Sequence, residues 1–233
     1  MRQWLAAAGT KLPAGDSRFR TMSLYWVIRL GLAVVLFALV GSSRLLLGNR
    51  ERFQRILENR PLAIFDVVAY NACCYLLVAL PADLGVITAP SILAVPAVIL
   101  GLQAVGGASL LVGASLVGAT VLKRRVIGGQ DTKEGLITSG VYQFARHPIY
   151  LGIVLISLSL ALMTVNVDGM LVLPLVFLAN FLQSEVEEKH DVGERFGKEY
   201  QIYRRTTPRF GPRWLWFALA GGVVAVLALG LPD

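Results

Sequence analysis

The sequence predicts an all-α protein, a polytopic transmembrane bundle of about six helices. Three observations carry this. The 233 residues are 55% hydrophobic and 16% charged, against about 25% charged in an ordinary soluble domain, and the mean hydropathy is +0.63. No Lys or Arg occurs between Pro61 and Lys123, between Pro148 and Glu188, or after Arg213, a pattern that a bilayer permits and a water-exposed surface does not. None of the apolar runs alternates polar with apolar residues, so the spans are helices rather than barrel strands.

The runs follow in order. The first covers about Leu30–Leu47, with Arg29 at its edge in a position to snorkel. The second is Pro61–Leu80. The third, Ser91–Leu122, exceeds one straight span. It reads as a single helix protruding beyond the bilayer, with a hairpin broken at Gly106-Gly107 as the alternative. Its Ser109-xxx-Gly113 and Ala114-xxx-Gly118 pairs suit close helix packing. The fourth and fifth, Ile149–Val165 and Met170–Gln183, are joined by a turn at Asn166-Val167-Asp168-Gly169, and a sixth, Trp214–Leu231, begins with interfacial aromatics. Leu5–Ala8 is too short an apolar run for a signal peptide.

Charge sets the orientation. Gly48–Arg60, Lys123–Arg146 and Glu185–Arg213 are rich in Lys and Arg, and Pro81–Pro90 and Asn166–Gly169 contain none. Placing the three basic segments in the cytoplasm works with single spans between them. It puts the N-terminus outside, against the pull of Arg2, Lys11, Arg18 and Arg20. The net charge of +7 is spent beside apolar runs, as the positive-inside rule expects, and so gives no reason to infer nucleic acid. The only cysteines, Cys73 and Cys74, are adjacent in an apolar stretch and suggest neither a disulfide framework nor a metal site.

Two basic segments are also dense in motif. The first reads Gly135-Leu-Ile-Thr-Ser-Gly-Val-Tyr-Gln-Phe-Ala-Arg-His-Pro-Ile-Tyr-Leu-Gly152. Pro148 suits the first position of a helix, so Arg146 and His147 sit at a helix N-terminus, where free N–H groups favour an anion. Tyr142, Phe144 and Tyr150 supply aromatic faces. Alone, these residues read as interfacial anchors. The second segment, Glu185–Pro212, places Glu187 and Glu188 at the end of the fifth span, followed by Phe-Gly-x-x-Tyr-x-x-Tyr and Pro-Arg-Phe-x-Pro. Its alternating charges, taken alone, read as a solvated helix face.

Together the two segments resemble the isoprenylcysteine carboxyl methyltransferase family, whose outline the phospholipid methyltransferases share. The resemblance covers roughly Leu110–Pro212. It implies a cofactor, S-adenosylmethionine, held between the Arg-His-Pro loop and the helix that carries the glutamates. By the resemblance, Tyr142, His147, Pro148, Tyr150 and Gly152 line the cofactor site, with Leu136 and Ile137 near the adenine. Arg146, Glu187 and Glu188 are the candidate catalytic residues, Glu187 also touching the cofactor. No metal is implied. The expected partners are membrane lipids and a lipophilic or lipid-modified acceptor arriving from the bilayer. Residues 1–109 are then the acceptor-side helices, 110–212 the methyltransferase core and 213–233 a final transmembrane helix.

One departure leaves the carboxylates open. The family pattern puts nine residues between its first glutamate and the Phe-Gly glycine. Glu188 to Gly197 is nine, but Lys189 then stands where the second glutamate belongs. Aligning Glu187 instead needs one extra residue, about 100° of helix. Two other functions have different requirements. An NADPH-dependent sterol-type reductase would need an Arg- and Lys-rich nucleotide-phosphate site, and a transporter would place charges at mid-membrane, where only Asp66 lies well inside an apolar run.

Overall fold

The computed structural model describes residues 15–47, 60–80, 95–124 and 135–212, with Trp216 and Gly221. Its elements are α1 (Gly15–Leu47), α2 (Arg60–Ala79), α3 (Pro96–Arg124), the single turn α4 (Val141–Phe144), α5 (Pro148–Met163), α6 (Val167–Glu187), a π-helical turn (Glu188–Val192) and α7 (Gly193–Thr206). The described residues contain no β-strand. Among the described residues three stretches are long and apolar enough to cross a membrane: Trp26–Ser43, Pro96–Lys123 and Val167–Thr206. In the last, the apolar part ends at Gln183 and charge begins at Glu185. Ile64–Ala79 and Pro148–Met163 are shorter apolar helices. The sixth expected span lies outside the described residues apart from Trp216 and Gly221.

α3 is one unbroken helix through Gly106 and Gly107, so the single-helix reading of the third run holds. It packs antiparallel on α5 through glycines. A Cβ at Gly152 would stand 2.8 Å from the Gly113 carbonyl oxygen, and one at Gly106 would stand 2.8 Å from Met163 Cγ. Gly113 therefore belongs to the packing seam, whereas nothing lies within 4 Å of a Cβ at Gly118. Gly118 makes no such contact, because Gly106, Gly113 and Val117, at steps of seven and four, keep to the side facing α5, and Gly118 stands one residue, about 100°, round the helix from Val117. On the other side of α5, helices α1, α2 and α6 close a core around Leu36, Cys74, Leu77, Leu158, Met170 and Val176.

Two expectations need correcting. Arg29 does not snorkel. It is buried, 3.6 Å from Asp168 Oδ2, and donates to the Leu80 carbonyl at 2.9 Å. The sequence reading overlooked Asp168, whose carboxylate keeps the guanidinium inside. The turn between the fourth and fifth spans also comes earlier than Asn166–Gly169. Val165 takes the left-handed φ of 51°, and Asn166 caps α6 by accepting the Gly169 N–H at 2.9 Å. The same Asn166 side chain donates to the carbonyls of Val78 and Leu80 at 3.0 and 2.8 Å. Arg29, Leu80 and the Thr164–Asn166 turn thus gather at one end of the bundle. Since helices consecutive in the chain run in opposite directions, Lys123, the 135–148 segment and residues 187–212 gather at the other.

Candidate active site

The motif-bearing end is assembled by two backbone hydrogen bonds. Ala145 is extended (φ −146°, ψ 140°) and brings Arg146 and His147 alongside the chain that leaves α7. The Arg146 N–H donates to the Pro208 carbonyl at 2.9 Å and the His147 N–H to the Arg209 carbonyl at 3.0 Å. Pro148 at the first position of α5 stops this short pairing and starts the helix, as its fixed φ and missing N–H require. The Arg-His-Pro and Pro-Arg-Phe motifs are therefore two halves of one structure.

Glu188 is its hub. The residue is 5% exposed and accepts hydrogen bonds from His147 Nε2 at 3.0 Å and from Arg209 Nε and Nη2 at 3.1 and 2.9 Å. Arg146 Nη2 stands 3.1 Å away. Burial pushes the Glu188 carboxyl up, but the hydrogen bonds from His147 and Arg209 and the charge of Arg146 outweigh it and hold the group down at about 2. Burial lowers the Arg146 guanidinium, with Glu188 opposing. Arg146 Nη1 also donates to the Arg204 carbonyl at 3.0 Å, while its Nε is buried without a hydrogen-bond partner among the described residues.

Glu187, one residue earlier, reaches the other nitrogen of the same imidazole. Its Oε2 is 3.6 Å from His147 Nδ1, and Tyr150 donates a short hydrogen bond to its Oε1. Its side chain is 28% exposed. Two consecutive residues meet one ring because the His147 imidazole lies in the angle between their side-chain directions. Immediately after them the helix widens into the π turn. This is where the sequence pattern requires one extra residue, and a π turn accommodates such a residue without ending the helix. Gly193 makes the turn possible: a Cβ there would fall 2.3 Å from the Glu188 carbonyl oxygen.

A cleft of about 440 Å³, its open mouth included, lies beside this hub. Leu136, Ile137, Tyr142, Arg146 and His147 form one wall, and Phe196, Tyr200 and Tyr203 of α7 the other. The α7 residues fall at i, i+4 and i+7, which is one helix face. The Tyr203 hydroxyl donates to the Tyr142 carbonyl at 2.5 Å and ties the walls together. The Tyr200 hydroxyl is buried beside the Glu188 carboxylate, with no hydrogen bond of good geometry among the described residues, and burial, then the Glu188 charge, pushes it up. Among the described residues no group of His, Cys, Asp and Glu could hold a metal ion.

Of the residues singled out from sequence, Leu136, Ile137, Tyr142, Arg146 and His147 line the cleft. Glu187, Glu188 and Tyr150 join it through His147. Pro148 is buried at the start of α5. Gly152 sits on the side of α5 that faces Val117 and Gly113 of α3, away from the cleft lining. Arg209, Tyr200, Tyr203 and Phe196 are site residues that the motifs contain but do not single out. The tyrosine and phenylalanine spacing was there to be read as a helix face; the Arg209–Glu188 pair had no such signal, because the chain must turn back through Thr207–Gly211 to make it.

No curated protein and no solved structure matches the chain. Residues 97–199 match the family model described as phospholipid methyltransferase, so the resemblance carried by the two motif segments is one to this family of membrane methyltransferases.

Proposed function

We propose that the protein transfers a methyl group from S-adenosylmethionine to a lipid-type acceptor, with the cleft between residues 135–147 and α7 holding the methyl donor. The observation that supports this most is the make-up of the cleft. Apolar and aromatic walls, suited to an adenosine, meet a guanidinium N–H (Arg146 Nε) that is buried and unpaired among the described residues and a buried tyrosine hydroxyl (Tyr200) beside the Glu188 carboxylate. Buried polar groups normally find partners, and the donor's carboxylate and ribose hydroxyls are of the right kind. The cleft's lining comes largely from the stretch that matches the family.

The donor supplies an already electrophilic methyl on a sulfonium, so the residues have little acid–base work. Glu188 neutralises Arg146 and orients His147 from behind. Glu187, partly exposed at the edge of the same group, is the carboxylate placed to bind a polar part of the donor or to orient the acceptor. Tyr142 and Tyr203 fasten the wall. Positioning and exclusion of water supply most of the rate in such a transfer. The distribution of Lys and Arg favours the cytoplasmic side for this face, and the acceptor then enters sideways from that leaflet.

Titration calorimetry in detergent tests the donor, and incubation with methyl-labelled S-adenosylmethionine and native lipid extract tests the transfer. Binding of the donor that falls at least tenfold in Arg146→Ala, with label appearing in a lipid, is the expected result. Donor affinity unchanged in both Arg146→Ala and Tyr200→Phe would overturn the assignment of the cleft.

A further inference from the structure

A line of polar side chains leaves the candidate site and runs into the apolar part of the bundle. On α2 it comprises Asp66, Tyr70 and Cys74, at successive four-residue steps and so on one face. On α6, which packs antiparallel against α2, it comprises Asn180, Ser184 and Glu187, at steps of four and three. The two faces meet: Asn180 Nδ2 lies 3.9 Å from Cys74 Sγ.

Two atoms of this seam lack what buried polar atoms normally have. Tyr70 is 8% exposed and Asn180 fully buried. Yet the Tyr70 hydroxyl has no oxygen or nitrogen partner among the described residues, only the thiol of Cys74 beside it, and Asn180 Oδ1 has none at all. In an apolar surrounding such atoms are rare, and intramembrane polar groups mark where substrates are handled. Tyr70 is also outside the stretch that matches the family, which begins at residue 97.

We infer that the α2–α6 seam reads the polar junction of an amphiphilic acceptor, with Tyr70 as the specificity-determining residue that donates a hydrogen bond to a headgroup or ester oxygen. This rests on the methyl-transfer reading for its place in a reaction, but not for the binding itself. Tyr70 holds the oxygen end of the acceptor, and Glu187, one helix turn nearer the cleft, meets the part to be methylated.

The test reconstitutes the wild-type chain in bilayers containing a glycerophospholipid with a photoactivatable diazirine next to its ester groups. Cross-links are then located by mass spectrometry. Label at Tyr70, Cys74 or Asn180, above that on the lipid-facing Phe65, Val68 and Leu76, is expected. Tyr70→Phe should cut the seam label at least fivefold and leave the lipid-facing label unchanged. In transfer assays with lipid extract, the same variant should raise the acceptor KM at least fivefold and keep donor affinity within twofold. Label confined to Phe65, Val68 and Leu76, or an equal loss of donor and acceptor affinity, would overturn the inference. Seam labelling in a protein that methylates nothing would instead overturn the methyl-transfer reading and leave the binding seam standing.

Discussion

Arg209 grips Glu188 with two parallel hydrogen bonds, Nε to Oε1 at 3.1 Å and Nη2 to Oε2 at 2.9 Å, and so fastens the chain beyond α7 to the end of α6. Planar two-point pairing of this kind is a property of arginine that lysine does not share. Because Arg146 and His147 press on the same carboxylate, the hub stands or falls with one side chain.

Glu188→Ala should therefore be the more damaging of the two glutamate substitutions. Removing one member of a buried charge cluster costs roughly 3–5 kcal/mol, whereas Glu187→Ala, at a partly exposed side chain, should cost about 1 kcal/mol. Thermal unfolding in detergent checks the order. Equal losses would mean that Glu188 is not the anchor.

The hub also predicts acid sensitivity. The Glu188 carboxyl is held at about 2 in the folded protein against the usual 4.5, so the folded state prefers it ionised. Its contribution is fully present above about 4.5 and is lost as pH falls from there towards about 2. Melting temperature against pH should fall through that window in the wild type, and Glu188→Gln should flatten the slope.

The glycine contact between α3 and α5 offers a contrast within one sequence. Gly152→Ala puts a Cβ 2.7 Å from Val117 Cγ2 and 2.8 Å from a backbone oxygen and should cost about 1–3 kcal/mol by overpacking. Gly118→Ala, four residues beyond Ala114 on an open side, should be neutral or stabilising by up to about 1 kcal/mol through helix propensity. Comparing the two melting temperatures checks which side of α3 is packed.

These contrasts show what was legible in the sequence. Apolar length and charge-free stretches placed α2, α3, α5 and α6 to within a few residues, since a bilayer imposes both. Motif spacing pointed to the residues of one wall of the cleft, because Leu136, Tyr142 and Arg146 are close along the chain. What escaped was whatever depends on chain reversal or on a partner far away. Arg209 returns to Glu188 only after the bend at Thr207–Gly211. Arg29 looked like an interfacial cation because its partner lies on α6. Glu187 and Glu188 looked like rivals for one role, and each reaches a different nitrogen of His147.

The Arg29–Asp168 pair makes its own prediction. Arg29→Ala should strip the buried carboxylate of its counter-charge and cost roughly 3–5 kcal/mol, while Arg29→Met with Asp168→Leu should recover most of the loss or better it. A double substitution as unstable as the single one would show that the pair does more than neutralise charge.

That pair joins the first helix of the bundle to the start of α6, across most of the described chain. During synthesis the carboxylate partner of Arg29 does not yet exist when α1 meets the membrane, and α2 brings only the Leu80 carbonyl. The cation must wait at the boundary of the bilayer, satisfied by water and headgroups, until the last hairpin delivers Asp168. Only then can α1 be drawn to its final depth. The ribosome thus makes the entry helix first and the lock that seats it near the end, and a nascent chain released before α6 would carry a first span that is inserted but not yet committed.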